Sequence, residues 1–200
     1  MRNLPESEEQ LLQRMQAGDE SAFLTLYRRL QGRIYRFALQ MSGSAAAAED
    51  VTQEVFLALI RDGFGFDPSR GTLVGYLYGI ARKQVLRHLE QDRGDLPLAT
   101  EDGDALQVAT PGDVVMDLTR KQSIESLRAA VLSLPRRYRE VVVLCDLEEM
   151  EYAAAAEALG CAVGTVRSRL HRARALLVDK LNRGNPDPAA DGLQPARCLI

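Results

Sequence analysis

Apolar residues return every three or four positions through most of this chain, and no stretch reads as a strand, so the pattern predicts an all-α protein. Ser7 followed by Gln10 makes a capping-box start for a short helix carrying Leu11, Leu12 and Met15, which Gly18 ends. Asp19 can cap the next. There Phe23, Leu26, Tyr27, Leu30, Ile34, Phe37, Ala38 and Met41 hold one apolar stripe for about five turns, until Ser42-Gly43 stops it. Ser44 opens a third helix, with Ala48, Val51, Val55 and Leu59 as its stripe and Phe56 and Ile60 widening it. Thr72 caps a fourth, whose Leu73, Tyr76, Leu77, Ile80 and Ala81 face inward while Gly75 and Gly79 permit a close approach.

Beyond Glu90 the rhythm breaks. Residues 91–118 hold Gly94, Pro97, Gly103, Pro111 and Gly112, and seven acids stand there against the single cation Arg93, the composition of a flexible acidic linker. Helical spacing returns through Ile124, Leu127, Val131 and Leu134, and Pro135 suits the start of a helix striped by Tyr138, Val141, Val142 and Cys145. A last pair follows, Tyr152 to Leu159 and then Val163 onward, turning at Gly160. The expected organisation is a helical domain over 1–90, a linker over 91–118, a second helical domain over 119–183 and a disordered tail over 184–200 rich in proline and glycine.

The final helix pair carries the chemistry. Two short helices joined at a glycine, the second studded with arginine, have the shape of a helix-turn-helix DNA reader. Val166 is placed to plug the angle between the helices and Ala156 to sit where they approach, which leaves Thr165, Arg167, Ser168, His171 and Arg172 pointing outward. Arginine can pair bidentately with guanine or grip phosphate, and Ser and Thr suit either role. Between Val163 and Arg183 six cations face one acid, Asp179. A solvated basic face would account for the charges alone, but not for the glycine turn with its spaced apolar residues.

Overall charge changes this picture in one respect. With 25 basic and 28 acidic residues the chain carries −3, so no global field draws it to nucleic acid and any DNA contact comes from local patches or a partner. No apolar run reaches membrane length, and the acidic start MRNLPESEEQ is unlike a signal peptide, so a cytoplasmic protein without membrane insertion is expected. Three cysteines without paired spacing argue against a zinc ribbon or a disulfide framework: Cys145 and Cys161 read as core or turn residues, and Cys198 as a free thiol on a loose tail or a redox sensor. No metal or cofactor is expected.

Two further segments hold candidate contacts. Glu49, Asp50, Gln53 and Glu54 form a compact acidic and amide surface on the third helix. The glycine-rich loop from Asp62 to Gly71 carries Phe64 and Phe66, which either staple it to the core or stack an unpaired base. After it, Arg82, Lys83 and Arg87 can follow a DNA backbone, and Tyr78 can wedge or stack.

These residues carry a resemblance. Tyr152, Ala156, Glu157, Leu159-Gly160, Val163 to Leu170 and His171-Arg172-Ala173-Arg174 resemble the carboxy-terminal domain of extracytoplasmic-function sigma factors, of the sigma-seventy family. The block Ala48 to Leu57 resembles sigma domain two, and Tyr76 to Arg82 its melting and minus-ten segment, with departures at Lys83, Arg87 and Glu90. The resemblance implies that Asp50, Gln53 and Glu54 dock on the clamp helices of core RNA polymerase. It implies that Thr165, Arg167, Ser168, His171 and Arg172 read the minus-thirty-five element, and that Phe64, Phe66, Arg70, Tyr78, Arg82, Lys83 and Arg87 engage the minus-ten element of promoter DNA. It implies an acidic linker, of roughly 90 Å contour, that threads the RNA path unless it is a plain spacer. An anti-sigma partner is expected by the same resemblance, and a monomer when free.

Two other functions fit less of the chain. An operator-binding helix-turn-helix regulator would need a dimer interface or sensor pocket and would leave Phe64 to Arg87 unexplained. An enzyme would need paired acids or nucleophile spacing around His88 or His171, and neither histidine has them.

Overall fold

A computed structural model describes residues 6–62, 65–92 and 117–184 of the chain. The expected linker falls mostly outside these residues, as do the tail beyond Gly184, Cys198, Phe64 and the side chain of Arg70. Eight α-helices make up the described fold: α1 Glu8–Gln16, α2 Glu20–Ser42, α3 Ala45–Asp62, α4 Leu73–Asp92, α5 Asp117–Leu132, α6 Arg136–Val142, α7 Tyr152–Leu159 and α8 Val163–Gly184. No strand occurs among the described residues.

Local chemistry sets the helix ends. Ser7 Oγ accepts from the Gln10 amide while Gln10 Oε1 accepts from the Ser7 amide, a complete capping box. Asp19 accepts from the Ser21 and Ala22 amides at the head of α2, and Arg14 braces it from α1 at 2.6 Å. Gly43, at φ 74, closes α2 with its amide on the Leu39 carbonyl. Thr72 Oγ1 accepts from the Gly75 amide and starts α4.

The stripes meet as their spacing predicts. Leu26, Ile34, Phe37, Ala38 and Met41 of α2, Ala48, Val51, Val55 and Leu59 of α3, and Leu73, Leu77 and Ala81 of α4 are fully buried in one bundle. Three apolar positions differ. Ile60, expected to widen the core stripe of α3, is half exposed, and Ile124 and Leu127 of α5 also face out. They lie at the rims of their stripes, where the packed neighbours are too few to cover them.

The second half does not stand apart from the first. Val131, Val141, Leu144, Ala155 and Val166 join the same apolar cluster as the α2–α4 core. Arg139 of α6 stitches the halves together: one guanidinium nitrogen donates to the Met41 carbonyl at the end of α2, and another donates to the carbonyls of Leu132 and Leu134 after α5. One cation thereby satisfies orphan carbonyls where α2 and α5 end, where the helix dipoles favour positive charge. Between α6 and α7 the helix widens into a π-helical turn, Val143–Leu147, in place of the regular stripe expected through Cys145.

Candidate nucleic-acid interface

Helix α7 ends at Gly160, whose φ of 63 is left-handed backbone that glycine adopts without strain, and α8 begins three residues later. Val166 and Ala173 of α8 are wholly buried and Leu170 is nearly so, which fixes the helix's rotation about its axis. On the opposite side Arg167, Ser168, His171 and Arg172 are exposed, as their spacing predicts, whereas Thr165, expected to point outward with them, is half-buried beside Val166 at the start of the helix. Three neighbours that the spacing did not single out support this face. The Arg167 guanidinium lies 5.9 Å from the ring centre of Tyr152. Arg172, and then Arg137, pull the Tyr138 phenol below its ordinary range. Arg174 makes a forked pair with Asp146 at 2.6 and 3.1 Å, which raises the guanidinium's already high pKa.

The face on α3 is also laid out on one side of its helix. Asp50 and Gln53 are exposed, and Glu54 is half-buried with Arg61 at 3.9 Å. Exposed Leu57 and Ile60 flank them, so the surface mixes acid, amide and apolar groups.

The segment from Phe66 to Arg87 departs from expectation in two places. Lys83 and Arg87 are exposed along α4 as expected. Phe66 is half-buried with its ring 5.6 Å from that of Tyr76, so it staples the loop to α4 in this arrangement. Tyr78 is not placed to wedge or stack: its ring is wholly buried, 5.2 Å edge-on from Phe37, and its hydroxyl donates to Glu148 Oε2 at 2.9 Å. Arg82 is not free to follow a backbone either. Its Nε and Nη2 donate to the two carboxylate oxygens of Glu140, at 2.9 and 3.4 Å. The physical reason is the same for both. Helix α4 packs against α7 about as extensively as against α3, which brings Glu140 of α6 and Glu148 after the π-helical turn within reach of Arg82 and Tyr78.

Glu140 and Glu148 are thus the residues that reading the sequence missed. Glu140 did leave a signal, since it lies one residue before Val141 and four before Leu144 on a helix whose other inward positions are apolar. Glu148 left none.

A cationic recognition helix set on a glycine turn, with a second cationic helix in the other half, defines a helix-turn-helix DNA-binding protein of all-helical architecture. Two sequence families match it: sigma-70 region 2 over residues 26–94 and sigma-70 region 4 over residues 124–177. The chain is 34% identical over 177 residues to the ECF RNA polymerase sigma factor SigE of Mycolicibacterium smegmatis, covering 86% of this chain and 67% of that one. It is 33% identical over 145 residues to the ECF RNA polymerase sigma factor EcfG of Rhodopseudomonas palustris, covering 70% and 75%. The fold is similar to that of CnrH, solved in complex with the cytosolic domain of CnrY, with a TM-score of 0.68 and 22% identity over 90% of this chain and all of that one. The chain belongs to the extracytoplasmic-function sigma factors. Among the described residues no helix is long and apolar enough to cross a membrane, and no group of acids, histidines and cysteines could hold a metal ion.

Proposed function

We propose that this sigma factor works through three separate faces. Asp50, Gln53 and Glu54, with Leu57 and Ile60 beside them, dock on core RNA polymerase, where basic groups of the clamp helices would complement the carboxylates. Thr165, Arg167, Ser168, His171 and Arg172 read the minus-thirty-five element in the major groove. The segment that includes Phe64, Phe66, Arg70, Arg82, Lys83 and Arg87 engages the minus-ten element, trapping unstacked bases at a cost of a few kcal/mol that phosphate contacts and stacking offset.

The observation that carries this reading is the two-sidedness of α8, with Val166, Leu170 and Ala173 buried and the cationic set turned outward. The domain boundaries at 90, 118 and 183, a cytoplasmic location and a role as an initiation factor rather than an enzyme go with it. An anti-sigma partner is part of the proposal, supported by a protein of like fold, CnrH, whose structure was solved in complex with the cytosolic domain of CnrY.

The deciding experiment is promoter-directed transcription with purified core polymerase. The wild-type chain should direct initiation, and the Asp50→Ala/Gln53→Ala/Glu54→Ala variant should lose polymerase binding while keeping its helical content. Equal polymerase binding by both would refute the α3 face, and no binding by either would refute the sigma role.

A further inference from the structure

Two nearly inaccessible carboxylates reach across from the second half of the chain to the cations of the first. Glu140 takes Arg82 in a forked pair, and Glu148 takes Arg36 in another, with Nε at 3.2 Å and Nη2 at 3.4 Å. The same Glu148 accepts from Tyr78 and has Arg33 at 3.8 Å, while its side chain is only 3% exposed.

This geometry is that of an arginine fork on phosphate. Carboxylate and phosphate present the same pair of acceptor oxygens to a guanidinium, so an acid seated this way occupies the donors that a DNA backbone would use. The four groups engaged, Arg33, Arg36, Arg82 and the Tyr78 hydroxyl, come from α2 and α4, and Arg82 belongs to the segment proposed above to meet the minus-ten element. We propose that Glu140 and Glu148 act as an internal stand-in for DNA phosphate: they close the second half over α4 in the free chain and withhold Arg82 until the halves separate.

Energetics favour a latch over a permanent weld. Burying an ion pair gains little net stability over a well-packed apolar pair, because desolvation consumes most of the attraction. What it supplies is exchangeability, since a phosphate can replace the acid on each arginine while the freed acid returns to water. The helix contact beneath it is built from small groups. A Cβ added at Gly75 or Gly79 of α4 would lie 3.8 Å from the backbone carbonyl of Ala154 or Ala158 of α7, with the Glu157 carboxylate 3.5 Å away beside Gly75, so α4 and α7 approach backbone to backbone along this seam. Because the inference rests on the reading of α4, its test separates the two.

The test uses the full chain. In the Glu140→Gln/Glu148→Gln variant the radius of gyration by small-angle scattering should rise above the wild-type value. Its affinity for a fluorescein-labelled single-stranded oligonucleotide, at fixed salt, should tighten about fivefold, since apparent affinity scales with the open fraction. The Arg33→Gln/Arg36→Gln variant breaks the Glu148 side of the latch from α2, where Arg36 is exposed and Arg33 partly so, and should expand in the same way, which guards against a folding defect in the acid variant. An unchanged radius in both variants overturns the latch. Expansion without tighter DNA binding overturns the withholding. Adding Arg82→Ala to the expanded acid variant tests α4 itself: loss of the gain supports the proposal, and a gain that survives overturns the withholding of Arg82 without touching the minus-ten reading of Lys83 and Arg87.

Discussion

The hydroxyl of Tyr78 in α4 donates to Glu148, seventy residues away in the turn before α7, at 2.9 Å. Burial first, and the Glu148 carboxylate next, hold the phenol well above its ordinary value of 10.0. As pH rises past that value the unfolded chain releases the Tyr78 proton while the folded chain keeps it, so the stability that this residue contributes is complete below about pH 10 and lost above. Tyr78→Phe removes the bond but keeps the ring against Phe37. It should cost about 2 kcal/mol at pH 7, lowering the melting temperature by roughly 4–8 °C, and it should flatten the alkaline fall in stability. Melting curves of both proteins between pH 7 and pH 11 check this, and parallel alkaline falls would refute it.

Asp19 governs the acid side. The Ser21 hydroxyl, and then Arg14, hold its carboxyl down to about 2, against an ordinary 3.8. Its contribution is therefore present above about pH 4 and disappears as pH falls toward 2. Asp19→Ala should lower the melting temperature at pH 7 by uncapping α2, and the gap to wild type should close as the pH approaches 2.

On α8, neighbouring residues should separate stability from recognition. Val166→Ala empties a fully buried site and should cost about 2 kcal/mol of folding stability. Arg172→Ala changes an exposed side chain and should leave the melting temperature within about 1 °C of wild type while weakening upstream promoter binding roughly 10–100-fold. Calorimetry together with anisotropy on a duplex promoter fragment reads both, and a large loss of stability in Arg172→Ala would contradict the outward placement of this face.

Cys145 should be inert. Burial, reinforced by Asp146, pushes its thiol up to about 11, so at pH 7.5 almost none is thiolate. Iodoacetamide should modify Cys145 far more slowly in the native chain than after denaturation, as peptide mass mapping over time would reveal.

Much of this molecule was legible before folding was considered. The capping box at Ser7, the Asp19 and Thr72 caps, the stops at Gly43 and Gly160 and the buried stripes of α2, α3 and α8 depend on residues within about one turn of each other, and such short-range chemistry is written in order along the chain. The motif blocks on α3, α4 and α8 that mark the sigma family are local in the same sense. Rim positions were read less well, because Ile60, Ile124 and Leu127 keep helical spacing whether or not a neighbour covers them. Tyr78 and Arg82 went further astray: their spacing describes α4 alone, and their partners come from another helix system.

The helices, their ends, the two-sidedness of the recognition helix and the family all follow from periodicity or from a contiguous motif. That α4 lies under α6 and α7, that Glu140 finds Arg82 across 58 residues and that Glu148 finds Arg36 across 112 depend instead on how whole helices pack. No pattern in the chain encodes such distances. A buried carboxylate is stable only where guanidinium and hydroxyl donors replace its water, and it is the packing of whole helices that brings those donors to it.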